Sequence, residues 1–276
     1  MSLGDTIERD PQQPEMDDRE TVLQRPPRAR PIFRHLLAKL SDLILPPLCV
    51  GCETRLFEHN TLCPACWRSI DFIRPPLCDR LGIPLPYDTG GTMISAAAAA
   101  DPPDYERARA VALYGGLMRD MMHDMKFADA LHARALFGRW LGEAGRELIG
   151  DCDVIIAVPL ARTRLIWRRF NQSQLLANEV ARLSGKPTLP LAMVRTRATR
   201  SQVGLSRAER RRNVSGAFGV REGQTAAITG RRVLLIDDVV TTGATASAAA
   251  RALKKAGASK VDVLALCLAG ETPVTV

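Results

Sequence analysis

The stretch from Val233 to Thr245 reads VLLIDDVVTTGAT: an apolar, partly β-branched run, two adjacent carboxylates and a Thr/Gly-rich turn, directly ahead of the alanine-rich segment Ala246 to Ala256. A strand, a loop and a helix start in that order present a row of backbone N–H groups and the positive end of a helix dipole. Together these bind a phosphate. Gly243 permits close backbone approach; Thr241, Thr242 and Thr245 add hydroxyl donors, and Ala244 falls within the same cradle. Asp237 and Asp238, just upstream, are placed to accept hydrogen bonds from sugar hydroxyls. Gripping a phosphate and a diol is the chemistry of binding a ribose phosphate. The competing reading is a buried strand and an N-capped helix, with the aspartates merely solvated at the strand end. No G-x-x-x-x-G-K-[ST] occurs and no G-x-G-x-x-G opens a helix, so P-loop and dinucleotide readings have no support.

The loop resembles that of type I phosphoribosyltransferases, in which it binds phosphoribosyl pyrophosphate (PRPP). That resemblance implies that a second loop, VPLARTR from Val158 to Arg164, holds the pyrophosphate, with Arg162 and Arg164 neutralising the leaving group. Solvated arginines after a strand are the plainer alternative. Between Arg195 and Asn213 lie seven arginines against one acid, Glu209. Two readings stand above an ordinary charged surface here: a loop closing over the substrate, or a patch for DNA phosphates.

A second group of reactive residues is Cys49-x-x-Cys52 and Cys63-x-x-Cys66. Each C-x-x-C is a tight turn that aims two thiolates at one point, and two such turns complete a tetrahedral Zn²⁺ shell. Metal binding would supply folding energy that so short a segment cannot draw from a core. A reduced, metal-free thiol cluster is the alternative. His59, between the pairs, reads as a surface residue, because four sulfurs already saturate zinc.

The elements that must position these groups follow from pattern. Apolar residues at Phe33, Leu36, Leu37, Leu40 and Leu43/Ile44 make a helical stripe over Ile32 to Leu45, stopped by Pro46-Pro47. Strands are expected over Ala108 to Tyr114, Val154 to Val158, Leu191 to Arg195, Arg232 to Ile236 and Val261 to Leu268. Helices are expected over Leu117 to Phe127, Ala130 to Leu148, Asn171 to Leu183 and Ala246 to Ala256, while Ala96 to Ala100 reads as either a short helix or a connector. Strands alternating with helices predict an α/β fold with a doubly wound parallel sheet, and its ligands bind at the carboxyl ends of the strands. The expected organisation is a disordered tail over 1–31, a helix plus double zinc-ribbon-like module over 32–90, and a phosphoribosyltransferase-like domain over 105–276.

With 276 residues, 46% of them hydrophobic, the chain can build one full core and a smaller module. Net charge is +8 and the pI about 9.4, which suits acidic or phosphorylated partners. No apolar run reaches the roughly 20 residues of a membrane span, and the polar N-terminal segment lacks a signal-peptide core. A cytoplasmic protein is expected, with its seven cysteines reduced or metal-bound.

Taken together, the two Cys pairs with Trp67, Val158-Pro159-Leu160, Phe170-Asn171-Gln172, Arg200-x-Gln202-x-Gly204-Leu205-Ser206, Arg210-x-x-Asn213-Val214-x-Gly216-Ala217-Phe218 and the phosphate loop resemble the ComF-type (ComF/GntX) competence proteins. That resemblance implies a transferase-like fold with an amino-terminal zinc finger and a part in natural transformation, with single-stranded DNA and competence proteins as partners. Two departures from the family pattern are visible. A third C-x-x-C is reduced to Cys78 alone, and Arg169 stands where a glycine is usual before Phe-Asn-Gln. The implied chemistry is transfer from PRPP. Asp237 and Asp238 hold the ribose and favour its positive ring, Thr241 to Thr245 anchor the 5′-phosphate, and Mg²⁺ on the pyrophosphate offsets its charge. A non-catalytic nucleotide- and single-stranded-DNA-binding adaptor is the alternative, and nothing in the sequence identifies the acceptor.

Overall fold

The computed structural model describes residues 46–125, 131–160, 170–199 and 204–270. The expected tail, the helix over Ile32 to Leu45, and Arg162, Arg164, Arg169 and Arg200 lie outside the described residues.

The strands are β1 (Ala108–Leu113), β2 (Val154–Ala157), β3 (Met193–Arg195), β4 (Phe218–Val220), β5 (Arg232–Val240) and β6 (Lys260–Leu268). The helices are α1 (Pro64–Arg68), α2 (Ala96–Ala100), α3 (Gly116–Asp124), α4 (Leu131–Ala144), α5 (Arg146–Asp151), α6 (Gln172–Ser184), α7 (Arg207–Val214), α8 (Thr225–Ile228) and α9 (Ala244–Lys255). Four strands form one parallel sheet in the order β1-β6-β5-β2, with Ile236 of β5 opposite Ala157 on one side and Leu264 on the other.

Alternation along β5 divides the core into two layers. Leu234 and Ile236, with Leu264 and Leu266, are buried under Met118, Phe137, Leu141 and Leu176 from α3, α4 and α6. Val233 and Leu235, with Val261 and Val263, are buried under Ala246, Ala249, Ala250 and Leu253 of α9. A sheet covered on both faces requires apolar strands on both sides of the pleat, as the near-continuous apolar runs of β2, β5 and β6 supply. The doubly wound parallel sheet is therefore as expected.

Four details differ from the sequence expectation. First, the helix expected over Ala130 to Leu148 is two helices that meet at Gly145, where a Cβ would come within 2.4 Å of Leu264 Cδ2 and only glycine lets the chain approach the sheet so closely. Second, the short strand expected over Leu191 to Arg195 starts at Met193 and is not in the main sheet. It pairs antiparallel with β4, Met193 opposite Val220 and Arg195 opposite Phe218. Third, β5 does not stop at Ile236. Asp237 and Asp238 lie within the strand, which runs on because Val239 and Val240 pair with Cys267 and Leu268. Fourth, part of the arginine-rich segment is helix α7 rather than loop, started by a capping box in which Ser206 and Glu209 satisfy each other's backbone N–H groups.

The cysteine module packs along the free edge of β1. Phe72 bridges Ala112, Ile73 N–H donates to Val111 O at 2.9 Å, and Leu113 N–H donates to Asp71 O at 2.9 Å. Aromatic rings fasten it to α4: Trp67 and Phe72 lie 4.7 Å apart, and Phe72 meets Trp140 edge-on at 5.3 Å.

Candidate functional site

A cleft of about 280 Å³ opens at the carboxyl ends of β2 and β5. It gathers Asp237, Asp238, Thr241, Gly243 and Thr245 from the strand–loop–helix unit, Val158 to Leu160 from the loop after β2, Gln172 and Ser173 from the start of α6, and Arg195 and Arg210 from the β3–α7 segment. Thr242 and Ala244 face a smaller adjoining cavity instead.

The loop has the conformation the residues call for. Gly243 is the N-cap of α9 with φ +73°, a left-handed position that disfavours any Cβ. A Cβ on Gly243 would also stand 3.0 Å from the Tyr105 hydroxyl. The twelve-residue helix α9 then starts at Ala244 with its N–H groups turned toward the loop. Its inner face is alanine, so the helix lies close against the sheet and carries the loop to the strand ends.

The two carboxylates are not equivalent. Asp237 is buried, with 6% of its surface exposed, and its Oδ1 accepts from Ser173 Oγ at 3.2 Å and from Asp238 N–H at 2.9 Å. Burial, and then the adjacent Asp238 carboxylate, push the Asp237 carboxyl well above the usual carboxylate range, with the hydrogen bonds from Asp238 N–H and Ser173 opposing the rise. Asp238 is half-buried, and its Oδ1 accepts from Val239 N–H at 2.9 Å. One acid therefore sits beneath the cleft and the other at its wall.

Gln172 closes the Phe-Asn-Gln motif and Ser173 follows it, but the local sequence gives neither a site role. What places them is Asn171, which caps α6 by accepting from Ser173 N–H at 3.1 Å and donates from Nδ2 to Val158 O at 2.9 Å. An Asn before a helix is a readable cap. That the helix start would face β5 depended on strand order, which a single sequence does not reveal. Of the arginine-rich segment, Arg195 lies over the Phe218 ring at 5.3 Å and Arg210 donates to Leu205 O at 2.9 Å, both reaching the cleft. Arg197 and Arg211 turn elsewhere: Arg197 to Asn213 O and Ser215 O, and Arg211 to Asp101.

The four cysteines converge. The Sγ atoms of Cys49, Cys52, Cys63 and Cys66 lie within 4.8 Å of one another, and Cys52 and Cys63 are 3.6 Å apart. A tetrahedron of about 2.3 Å Zn–S bonds has edges near 3.8 Å, so the cluster has the right size for zinc, while disulfide bonding would need about 2.05 Å. Backbone N–H groups point at the sulfurs: Cys63 N–H to Cys49 Sγ at 3.2 Å, and Cys66 N–H to Cys63 Sγ at 3.4 Å. The Cys52 thiol is drawn down to about 6 by hydrogen bonds from the Thr54 hydroxyl and backbone, whereas burial raises that of Cys66. His59 is exposed and lies outside the cluster. Cys78 is buried and accepts from Ser95 N–H at 3.2 Å.

Comparison with known proteins agrees at both ends of the chain. Residues 40–98 match the family model described as a double zinc ribbon domain, and residues 171–275 match that of a phosphoribosyl transferase domain. DNA utilization protein YhgH of Shigella flexneri is 33% identical over 242 residues, covering 82% of this chain and 98% of that protein. The chain belongs to the ComF-type family. Competence protein F of Haemophilus influenzae is 28% identical over 228 residues, covering 80% and 96%, and competence protein ComFC of Streptococcus pneumoniae is 30% identical over 158 residues, covering 57% and 66%. As a ComF-type protein the chain combines a zinc ribbon with a phosphoribosyltransferase fold. Among the described residues, no helix is long and apolar enough to cross a membrane.

Proposed function

We propose that this ComF-type protein binds PRPP in the cleft lined by Asp237 and Asp238 and acts as a phosphoribosyltransferase-like component of DNA uptake in the cytoplasm. The observation that carries the reading is the cleft itself, which unites an acid pair, a hydroxyl-lined helix start and two arginines within one small volume. The loop Thr241 to Thr245 anchors the 5′-phosphate through backbone N–H groups and threonine hydroxyls. Asp237 and Asp238 hold the ribose hydroxyls and favour positive charge on the ring as the bond from C1 to pyrophosphate oxygen breaks, the electron pair leaving with pyrophosphate. Arg195 and Arg210, together with Arg162 and Arg164 of the loop after β2, neutralise that pyrophosphate. Carboxylates and phosphate oxygens are a hard donor set that suits Mg²⁺, which supplies charge neutralisation on the leaving group when bound.

Cys49, Cys52, Cys63 and Cys66 hold one structural Zn²⁺. We assign 1–31 as a tail, 32–90 as the helix and ribbon module, and 105–276 as the transferase-like domain.

Calorimetric titration of the full chain with PRPP tests the reading. Saturable binding that disappears in the Asp237→Asn, Asp238→Asn variant is expected, and failure of the parent protein to bind PRPP overturns it. Pyrophosphate release across candidate acceptors then separates an enzyme from a binding protein.

A second reading, a non-catalytic nucleotide- and single-stranded-DNA-binding adaptor, is favoured by the exposed Arg212 on α7 and by Phe57, which stands fully exposed on the ribbon as a ring open to a base. The relatives' names, DNA utilization and competence protein, point to the same setting. Gel shifts with single-stranded DNA at rising salt test it: steep weakening supports phosphate contacts, and a flat response excludes them.

A further inference from the structure

Between the ribbon and β1, the segment Asp101-Pro102-Pro103-Asp104-Tyr105 forms a strap that joins two helices of the cleft. Asp104 holds α9: its N–H donates to Ser247 Oγ at 2.9 Å, and its carboxylate accepts from Arg251 Nε at 3.2 Å and Nη2 at 2.6 Å. Asp101 holds α7 through an ion pair with Arg211. The two prolines between the acids fix φ and so their separation. Next along, the buried Tyr105 puts its hydroxyl close against Gly243 of the phosphate loop. The tie matters most for α7. Among its described side chains Val214 alone is buried, so apolar packing does little to set the helix's rotation. Arg197 anchors its last residues, donating to Asn213 O and Ser215 O. Arg210 lines the charged cleft, and Arg211, about 100° further around the helix, meets the strap.

Resting on the PRPP reading above, we infer that Asp101 is a positioning residue for that site: by pairing with Arg211 it fixes the rotation of α7 and so keeps Arg210 in the cleft, facing the pyrophosphate. Two acids of the strap, Asp101 and Asp104, stand against two arginines, Arg211 and Arg251. Arg211 and Arg251 are near enough to repel each other. Loss of the Asp101 carboxylate therefore leaves Arg211 with only the already paired Asp104 to attract it, and releases α7 to turn. The sign of the effect separates positioning from simple charge. Asp101 does not line the cleft, and deleting a carboxylate near an anion site strengthens anion binding if it acts through the field alone. Acting through α7, the same deletion weakens it.

Calorimetry on the full chain with PRPP and with ribose 5-phosphate tests this. Asp101→Ala is expected to weaken PRPP binding about 3- to 5-fold, the scale of a half-exposed ion pair. Ribose 5-phosphate, which the loop holds without the arginines, should keep its affinity. Arg211→Ala, which breaks the same pair from the other side, should weaken PRPP binding alike. In an Arg210→Ala background Asp101→Ala should change nothing further, because the arginine it positions is gone. PRPP affinity that holds or rises in Asp101→Ala overturns the inference. So does a loss that survives in full without Arg210, or one that falls equally on ribose 5-phosphate. Those results leave the phosphate loop standing. A parent protein that does not bind PRPP overturns the underlying reading and this one with it.

Discussion

In the cysteine ribbon the ligand-bearing atoms are themselves the buried cluster, whereas in the cleft a polar group is embedded in a core that would be complete without it. Among the described residues, Leu56, Leu62 and Leu117 are the apolar side chains that pack on Cys49, Cys63 and Cys66, a small apolar surface for the centre of the ribbon. Around Asp237, by contrast, Leu234, Leu235, Ile236, Leu264 and Ala265 are all fully buried, and the sheet stands without any ligand. The ribbon is therefore expected to draw folding energy from a bound metal, while the cleft gives up stability to keep a carboxylate where water is scarce. Folding energy flows from ligand to protein in one region and from protein to ligand site in the other.

The sharpest way to break this contrast is to remove the metal. Replacing Cys49 and Cys66 with serine, or stripping zinc with a chelator, is expected to unfold the ribbon and expose it to protease, since structural zinc in small modules contributes about 10 kcal/mol or more. Zinc analysis should fall from one ion per chain to none, and the sheet should persist by circular dichroism. A ribbon that stays protease-resistant without zinc would show that Trp67, Phe72 and Trp140 hold it alone.

At the cleft the effect is smaller and its sign reverses between function and stability. Asp237→Asn with Asp238→Asn should weaken PRPP binding by about 100-fold or more, the loss of two charge-assisted hydrogen bonds. Asp237→Asn alone should stabilise the fold at neutral pH. The Asp237 carboxyl titrates above its unfolded value, so its contribution to stability is complete in acid and is lost as pH rises through the folded pKa. The variant's melting temperature should therefore exceed the parent's at pH 8, by about 2–4 °C per kcal/mol relieved, and the gap should close near pH 4. A variant less stable at pH 8 would mean that Asp237 is a structural anchor.

The same contrast explains what the sequence could disclose. The four cysteines and the acid–Thr–Gly loop were legible because each is a local arrangement: the spacing of two C-x-x-C turns, or of a strand, loop and helix, fixes where the groups point. The long apolar strands β5 and β6 were legible by their runs. What stayed hidden depended on partners far along the chain. Nothing before Asp237 signals that β5 continues to Val240, because Cys267 and Leu268 supply the pairing. The need for glycine at the Gly145 junction is set by Leu264, 119 residues later. The three-residue strands β3 and β4 exist only as each other's partners. Ser173 and Arg210 belong to the cleft because of strand order and the course of α7, neither of which a local pattern encodes.

Gly243→Ala sharpens the comparison at the loop itself. The new Cβ meets the Tyr105 hydroxyl at 3.0 Å and must sit at φ +73°, a left-handed conformation that costs a non-glycine residue about 1–2 kcal/mol. Thermal unfolding should report that loss, and PRPP affinity should fall with it because the backbone N–H row is displaced. Unchanged affinity in a destabilised protein would detach the loop from phosphate binding.

The smallest expected effect is the most specific. Ser173→Ala removes the hydroxyl that donates to Asp237, a loss of about 1 kcal/mol in a buried hydrogen bond. That bond favours the ionised carboxylate, so without it the Asp237 pKa rises further. If the ionised acid holds the ribose, PRPP binding falls as pH drops through this pKa, and in Ser173→Ala the fall should begin at a higher pH than in the parent. Ser173→Thr, which restores a hydroxyl at the same position, should bring the profile back. A pH profile that Ser173→Ala leaves in place would show that α6 packs beside the acid without setting its charge. The buried carboxylate would then be tuned by desolvation and Asp238 alone.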